Sequence, residues 1–214
     1  MKKVFNTKEE WLNYRKGKIT STMASAILGL NPYLTNVEAW EILIGTRERE
    51  NIEDKDYVQY GLKAEKHIRE MFKLNHPDLE VEEMKEEEWH IYISNNYDFL
   101  CASGDGTYIK EDGTKGSLEI KTSTILSSYQ KESWKDSIPM NYLIQVYMEM
   151  YCQETTECTL VAELKYDTDY IVRKEYYIKR EGVEEDIKMV VDKCKEFYNK
   201  YVVTKTRPPL AMSF

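Results

Sequence analysis

The chain has 214 residues, 42% of them hydrophobic and 32% charged, with a formal net charge of −8 at pH 7; this is the balance of a globular protein with a buried core. Its acidity argues against a protein that coats DNA non-specifically, because that binding depends on neutralising phosphates. No apolar run reaches the roughly 20 residues that span a bilayer, and the amino-terminal MKKVFNTKEEW lacks the apolar stretch of a signal peptide, so we expect no membrane association and a cytoplasmic location.

The sequence is expected to fold as one domain over residues 1–214, because nine glycines and five prolines are too few for a flexible linker. Two capping-box patterns open its first helices. Thr7–Glu10 predicts a helix to about Tyr14, and Thr35–Glu38 predicts one to about Ile44. Between them, the small and hydroxyl-bearing residues of ITSTMASAILG favour a short helix.

The longest predicted helix runs from Asp56 to Leu74. Small and apolar residues recur along it at helical spacing and form one face. Glu65 falls on that same face, which makes it a candidate for burial. The small and apolar residues of the face are Gly61, Ala64, Ile68 and Phe72.

Runs of β-forming residues occupy the middle and the later part of the chain. GTYIK at 106–110 and SLEIK at 117–121 flank Asp112-Gly113, a strong signal for a hairpin turn. ECTLVAELKY and YIVRKEYYIK flank a DTD turn and predict a second hairpin. Three shorter runs precede both hairpins: LEVEEM at 79–84, EWHIYIS at 88–94 and YDFLCA at 97–102.

Two further helices complete the predicted elements. MNYLIQVYMEMYCQ, residues 140–153, is apolar nearly all round and therefore predicts a helix that is buried on most sides. Residues 183 to about 203 carry apolar side chains at helical spacing and predict an amphipathic closing helix. Helices inserted between mostly antiparallel-connected strands indicate an α/β fold, in which we expect a central mixed sheet flanked by helices.

The first hairpin carries the strongest chemical pattern. Asp105 opens one strand between two glycines and Glu119 lies within the partner strand, so the turn brings the two carboxylates opposite each other. Paired carboxylates are the hard oxygen ligands that a divalent metal needs for phosphodiester cleavage. Lys121, two residues beyond Glu119, points to the same face and could orient the attacking water. The alternative is a surface hairpin whose charged groups face water.

Two polar positions on apolar surfaces fit the same chemistry. Glu65 would need a metal ion or Lys121 to satisfy its carboxylate in the core, whereas at the edge of its helical face it would reach solvent. Gln145 is an amide within the apolar helix at 140–153, and it needs a partner if it is buried. A structural hydrogen bond to the backbone would also meet that need.

Four sequence blocks in this order resemble the phage lambda exonuclease family, which includes the YqaJ-type viral recombinases, within the PD-(D/E)xK nuclease superfamily. The resemblance runs from about Trp11 to Glu163, which is most of the chain. A lone D…ExK pattern is weak, whereas four ordered blocks are specific. The blocks are WLNYRKGKITSTMASAILG, YGLKAEKHI, CASGDG…LEIKT and YLIQVYMEMY.

The resemblance implies a restriction-endonuclease-like fold and Mg²⁺-dependent 5′-to-3′ digestion of one strand of linear double-stranded DNA, which leaves 3′ overhangs for phage-type recombination. It also implies a homotrimer that threads the duplex, a single-strand annealing protein as partner and, for a phage-encoded protein, the bacterial host cytoplasm as location. Two metal ions are expected, and Mn²⁺ could replace Mg²⁺. No iron–sulfur cluster is expected, because the four cysteines include no CxxC pair.

The resemblance also assigns roles to residues around the metals. Asp105, Glu119 and the backbone carbonyl of Ile120 match the metal ligands of the family. Lys121 matches the catalytic lysine. The remaining matches are Glu65, as an acidic helix residue near the metals, and Tyr142 with Gln145, as the tyrosine–glutamine pair of a helix motif.

A second group of residues matches the family's pocket for the 5′-phosphate of the digested strand. Arg15 matches the arginine that holds this phosphate, and Thr22 and Ser103 match the hydroxyls of the pocket. A guanidinium fork and hydroxyls are standard phosphate donors, although a surface charge is the alternative for Arg15. Two residues depart from the family pattern, since Gly104 replaces a frequent proline and Thr22 replaces the more usual serine.

Two other functions are compatible with the same motif. A restriction-like or structure-specific PD-(D/E)xK endonuclease would share the metal site but would have no use for a 5′-phosphate pocket. A catalytically inactive DNA-binding protein could keep the scaffold. The presence of Asp105, Glu119 and Lys121 together argues against that second alternative.

Overall fold

The structure is a computed structural model that describes residues 1–82, 89–167 and 170–211. Parts of three predicted elements lie outside the described residues: the end of LEVEEM, Glu88 at the start of EWHIYIS, and the last two residues of the DTD turn. Within the described ranges, every helix is too short or too polar to span a bilayer.

The helices begin and end close to the predicted residues. Thr35 and Glu38 form a complete capping box, whereas Glu10 accepts its backbone hydrogen bond from Asn6 instead of Thr7. A short helix at residues 128–133 has no counterpart in the predicted elements. The helices of the described residues are α1 (Lys8–Tyr14), α2 (Ser21–Ile27), α3 (Asn36–Leu43), α4 (Asp56–Asn75), α5 (Ser128–Ser133), α6 (Met140–Gln153) and α7 (Glu184–Phe197). A 3-10 turn (Arg180–Gly182) precedes α7, and α7 continues into a π-helical turn (Tyr198–Val202).

The strands that lie within the described residues are β1 (Lys2–Phe5), β2 (Ile19–Thr20), β3 (Leu79–Val81), β4 (Trp89–Ile93), β5 (Leu100–Ala102), β6 (Gly106–Lys110), β7 (Lys115–Thr124), β8 (Glu157–Asp167) and β9 (Tyr170–Lys179). They form a four-stranded sheet in the order β1-β4-β5-β2 and a five-stranded sheet in the order β3-β6-β7-β8-β9. The α/β class with mixed sheets is confirmed, but there are two sheets instead of one central sheet. They separate where residues 103–105 carry the chain from β5 to β6.

The five-stranded sheet fixes the position of the charged hairpin. β6 and β7 are antiparallel, and Gly106 is opposite Leu118 at the end away from the turn. Gly113 has a φ of +83°, the left-handed conformation that an Asp-Gly hairpin turn requires. β7 extends to Thr124, beyond the predicted SLEIK, because it also pairs in parallel with β8 along its length.

Helix α6 is the buried helix that its composition predicts. Residues 144–150 of α6 are all buried, and the helix contacts α2, α7 and strands of both sheets. Parallel pairing of β7 with β8 requires a crossover connection, which α5 and α6 supply. The crossover therefore places the polar side chains of α6 against β7.

Gly116 on β7 is opposite Tyr108 on β6, and substitution of this glycine should destabilise the fold. A methyl group at position 116 would lie within 3.0 Å of the Tyr108 ring. This ring cannot easily shift, because it is buried and its hydroxyl is hydrogen-bonded at 3.0 Å to both Glu157 and Thr159. We expect Gly116→Ala to lower the free energy of unfolding by roughly 1–3 kcal/mol, as measured by urea denaturation followed by circular dichroism.

Gly182→Ala is the matched control for this measurement. Nothing lies within 4 Å of a methyl group added at position 182, so the free energy of unfolding should change by no more than about 0.5 kcal/mol. Equal losses in the two variants would mean that contact with Tyr108 is not the cause.

Candidate active site

The hairpin brings Asp105 and Glu119 together as its turn predicts. Gly106 and Leu118 form the last pair of the β6–β7 ladder, and Asp105 and Glu119 are the next residues outward on each strand. The Oδ2 atom of Asp105 accepts a hydrogen bond of 2.7 Å from the backbone N–H of Ile120. This bond fixes the Asp105 carboxylate beside the strand that carries Glu119.

Glu119 is only 2% exposed, so it is part of the interior and not of a solvated hairpin. Its Oε1 atom accepts hydrogen bonds from Lys121 and, at 2.6 Å, from the Gln145 amide. Its Oε2 atom is buried and has no hydrogen-bond partner in the described parts of the chain. Burial, followed by the charges of Asp105 and Glu149, raises the pKa of Glu119 well above its usual value.

Lys121 lies beside Glu119 on the same face of β7. Its ammonium donates to the Glu119 carboxylate and faces the Tyr142 ring at 5.4 Å from the centroid. Burial lowers the pKa of Lys121, but the charge of Glu119 and of two further carboxylates outweighs burial and raises this pKa above its usual value. Lys121 therefore remains an ammonium ion. Tyr142 is in turn stacked on Trp134, with 5.5 Å between ring centroids.

Glu65 finds a partner that the sequence reasoning missed. It forms a salt bridge with Arg69, one helical turn further along α4. The Nε atom of Arg69 also donates at 2.9 Å to the backbone carbonyl of Asp105, so Arg69 ties α4 to the start of the hairpin. Burial and then Asp105 raise the pKa of Glu65 to about 7, against the opposing charges of Arg69 and Lys121. The i,i+4 spacing of Glu65 and Arg69 was the available signal.

Gln145 is buried, and its partners are side chains instead of the backbone. The same amide nitrogen donates to Glu119 at 2.6 Å and to Glu149 at 2.8 Å. Glu149 is 1% exposed, and burial raises its pKa to about 7. Sequence reasoning missed Glu149, although a glutamate one turn beyond Gln145 in a helix predicted to be buried was the available signal.

The expected phosphate-pocket residues lie at a second location. The Arg15 guanidinium lies 4.1 Å from the centroid of the Trp11 ring, and its buried Nε atom has no hydrogen-bond partner among the residues described. Burial, and then the charge of Arg49, lowers the pKa of Arg15 to about 10. Arg15 is therefore partly enclosed by protein and is not a freely solvated surface charge.

Two threonine hydroxyls lie at this second location. Arg49 donates to Thr20 at 3.4 Å, and the Thr20 and Thr22 hydroxyl oxygens are 3.0 Å apart. Ser103 donates at 2.9 Å to the His90 carbonyl. Trp11 donates to that same carbonyl at 2.9 Å. Arg49 was not singled out from the sequence.

The two locations are close along the chain. Thr20 pairs with Cys101 between β2 and β5, and Cys101 precedes Asp105 by four residues. Four extended residues span at most about 14 Å. A single ligand with an anionic group near Thr20 can therefore also contact the carboxylates of Asp105 and Glu119.

The donor set at Asp105 and Glu119 fits a divalent metal ion. Among the described residues no group of three or more His, Cys, Asp and Glu side chains is already arranged around a metal position. Two carboxylates are nevertheless adjacent, one with an unpartnered buried oxygen. The Ile120 carbonyl points the same way as its N–H, which faces Asp105. Hard oxygen donors of this kind suit Mg²⁺.

Metal-free protein should lose stability as the pH rises. The pKa of Glu149 is about 7 in the folded state, whereas a glutamate in an unfolded chain titrates near pH 4.3. A raised pKa contributes stability that is fully present below about pH 4 and is lost as the pH rises through about 7. In EDTA, we expect the free energy of unfolding to fall by on the order of 1–3 kcal/mol between roughly pH 4.5 and 7.5.

Glu149→Gln should remove part of this slope, because the neutral amide has no proton to lose. Glu185→Gln, at an exposed position on α7, is the matched control and should leave the slope unchanged. Urea titrations of the three proteins at several pH values measure the effect. A slope in Glu149→Gln as steep as in the wild type would contradict the assignment to Glu149.

Known proteins with similar sequences or folds include nucleases. The uncharacterized protein YqaJ of Bacillus subtilis is 28% identical over 153 residues, which cover 65% of this chain and 40% of that protein. The alkaline exonuclease LHK-Exo of Laribacter hongkongensis has a similar fold, with a TM-score of 0.66 and 20% identity over 94% of this chain and 97% of that one.

Two further structures repeat the likeness of fold. LHK-Exo in complex with dAMP has a TM-score of 0.65 and 19% identity, with 94% of this chain and 97% of that chain covered. A phage related exonuclease from Haemophilus somnus 129PT has a TM-score of 0.57 and 15% identity, with 88% and 96% covered. The family described as the YqaJ-like viral recombinase domain matches residues 10–159. The matched residues include Asp105, Glu119 and Lys121 of the first location and Arg15 of the second. The chain belongs to this family.

Proposed function

We propose that the protein is a metal-dependent exonuclease that digests one strand of linear double-stranded DNA in the 5′-to-3′ direction. One observation carries this function: Glu119 is buried beside Asp105 with Lys121 bonded to it, and its Oε2 atom has no partner within the described ranges. A buried acid with an unsatisfied oxygen is costly unless a cation compensates it. Carboxylates, a cation and a lysine are the requirements of phosphodiester hydrolysis.

Mg²⁺ is the cation we propose, with Mn²⁺ as a substitute. Asp105, Glu119 and the Ile120 carbonyl would hold it, and the family resemblance suggests two ions. When bound, the metal supplies Lewis-acid activation of water and neutralises negative charge on the phosphate. We propose that Glu65, which is paired with Arg69, is an acidic residue near the metal ions that does not ligate them directly.

The protein's own residues hold the reacting groups in place. Lys121 is fixed between the Glu119 carboxylate and the Tyr142 ring, where its ammonium can orient a water and donate to oxygens that gain negative charge. Gln145 keeps the Glu119 carboxylate in one orientation through its amide. Arg69 holds the backbone of Asp105.

The direction of digestion is proposed from the pocket around Arg15. A strand whose 5′-phosphate lies at Arg15 would present a linkage near its end to the carboxylates, and each cut would create the next 5′-phosphate. The fold neighbour LHK-Exo has been solved with dAMP, a nucleotide that carries a phosphate. On the basis of the family resemblance, we also propose that digestion leaves 3′ overhangs and that residues 1–214 form a single nuclease domain. We propose further that the protein assembles as a homotrimer and acts with a single-strand annealing protein.

Asp105→Asn should abolish digestion, because it removes one carboxylate from the metal site without changing the shape of the side chain. We expect the rate on linear duplex DNA with Mg²⁺ to fall by at least about 100-fold. Asp112→Asn is the matched control in the same hairpin; Asp112 caps the turn by accepting from Thr114 at 2.9 Å, which asparagine can also do. This control should cut at the wild-type rate.

The same assay separates the alternative functions. Wild-type protein should degrade linear duplex and leave covalently closed circular DNA intact, with release of label from the 5′ end first. Nicking of the circle would indicate an endonuclease. Absence of Mg²⁺-dependent cutting in the wild type would indicate a DNA-binding protein on an inactive scaffold. Cutting by Asp105→Asn at the wild-type rate would refute the metal site.

Lys121→Met should act on the chemical step and not on DNA affinity. Loss of one preorganised electrostatic donor costs roughly 10²–10³-fold in kcat, while the Kd for duplex DNA measured in EDTA should stay within about threefold of the wild type. Lys110→Met is the control, since Lys110 pairs with Glu157 at the turn end of the hairpin. A weaker Kd with unchanged kcat would make Lys121 a DNA contact instead.

A further inference from the structure

Among the described residues, Arg15 and Arg49 are two positive charges for which no salt bridge to a carboxylate is found. Of the other five arginines in the chain, four are ion-paired with glutamates. Neither Arg15 nor Arg49 has a carboxylate partner in the parts of the chain that are described. In a protein of net charge −8, two neighbouring cations that are left unpaired indicate a site for an external anion.

Both side chains are placed to receive a ligand. Arg49 is exposed to solvent, yet the surrounding protein lowers its pKa by desolvation. Its guanidinium is positioned by the Thr20 hydroxyl, to which it donates at 3.4 Å. The Arg15 guanidinium lies against Trp11, 4.1 Å from the ring centroid. Burial, and then the positive charge of Arg49, lowers the pKa of Arg15. An anion between them would relieve this repulsion.

The hydroxyls at this location complete the donor set. Thr20 is 3% exposed and accepts from Arg49 at 3.4 Å, so its own hydrogen can go to Thr22, 3.0 Å away. Thr22 is exposed, and its hydroxyl hydrogen is then available to the ligand. Arg15, Arg49 and Thr22 would each donate to the same anion.

The charge of the pocket selects among phosphates. A terminal phosphomonoester carries about −1.5 to −2 charges at pH 7, whereas each internal phosphodiester carries one. Two guanidinium forks match the dianion in charge and in hydrogen-bond geometry. One guanidinium would bind both kinds of phosphate with less discrimination.

We propose that Arg49 is a second phosphate-binding arginine of the Arg15 pocket, and that the pair makes the protein select a terminal 5′-phosphomonoester over internal phosphodiesters. This inference rests on the proposed function for its choice of substrate. It extends that function by naming the residue that distinguishes a DNA end from the middle of a strand.

Binding measurements without turnover test the role of Arg49. The probe is a hairpin DNA duplex labelled in its loop, with a 5′-phosphate or a 5′-hydroxyl end, titrated in EDTA at fixed ionic strength. The wild type should bind the phosphorylated end more tightly, and Arg49→Gln should reduce this preference by about tenfold. Arg49→Lys keeps the positive charge but not the guanidinium fork, so it should reduce the preference for the phosphorylated end less than Arg49→Gln does. Arg15→Gln should reduce the preference as Arg49→Gln does.

Arg47→Gln is the matched control, two residues away in the same segment. Arg47 forms salt bridges with Glu38 at 2.9 Å and with Glu41 at 3.2 Å. Removal of the Arg47 guanidinium should therefore leave the preference for the phosphorylated end at the wild-type value. Circular dichroism and thermal unfolding establish that each variant is folded, which is expected because Arg49 is exposed and lies outside helices and strands.

The outcomes separate this inference from the proposed function. If Arg49→Gln keeps the wild-type preference while the wild type digests linear DNA, the role of Arg49 is refuted and the exonuclease function stands. If the preference depends on Arg49 but the wild type never cuts DNA with Mg²⁺, the pocket stands and the exonuclease function is refuted. A wild type with no preference between the two ends overturns the pocket itself.

Discussion

Burial of the Glu119 carboxylate is the constraint on which the candidate site depends. An ion taken out of water costs several kcal/mol unless charges and hydrogen bonds compensate it, and Glu119 obtains only part of that compensation from Lys121 and Gln145. Asp105 and Glu149 add negative charge nearby. The metal-free arrangement is thus electrostatically unfavourable, and that unfavourable energy is available to bind a cation.

The same constraint explains why distant elements meet at one point. The carboxylates lie on a hairpin, but the groups that hold them come from α4 through Arg69 and from α6 through Gln145. Helix α6 must therefore be buried against β7 even though it carries polar side chains. The second cationic location, around Arg15, adds local positive potential to a protein whose net charge is −8.

Sequence reasoning succeeded where the signal was local. The Asp112-Gly113 turn predicted the pairing of Asp105 with Glu119, and the apolar run at 140–153 predicted α6 with its observed ends. It missed the division of the strands into two sheets, because β1 and β2 are short and pair with distant strands. It missed Arg49 for the same reason, since the partner of Arg49 is 29 positions away. Such contacts leave no periodic pattern in the sequence.

The parallel pairing of β7 with β8 has a consequence for how the protein is made. Asp105, Glu119 and Lys121 are synthesised before α6 and β8, and Gln145 reaches Glu119 across 26 positions of chain. Closure of a long loop and parallel strand pairing are slow steps in folding. A nascent chain that has left the ribosome only as far as β7 would carry the reactive side chains without the helix that orients them. These side chains would then reach their final orientation only after α6 and β8 had been synthesised and had packed against β7.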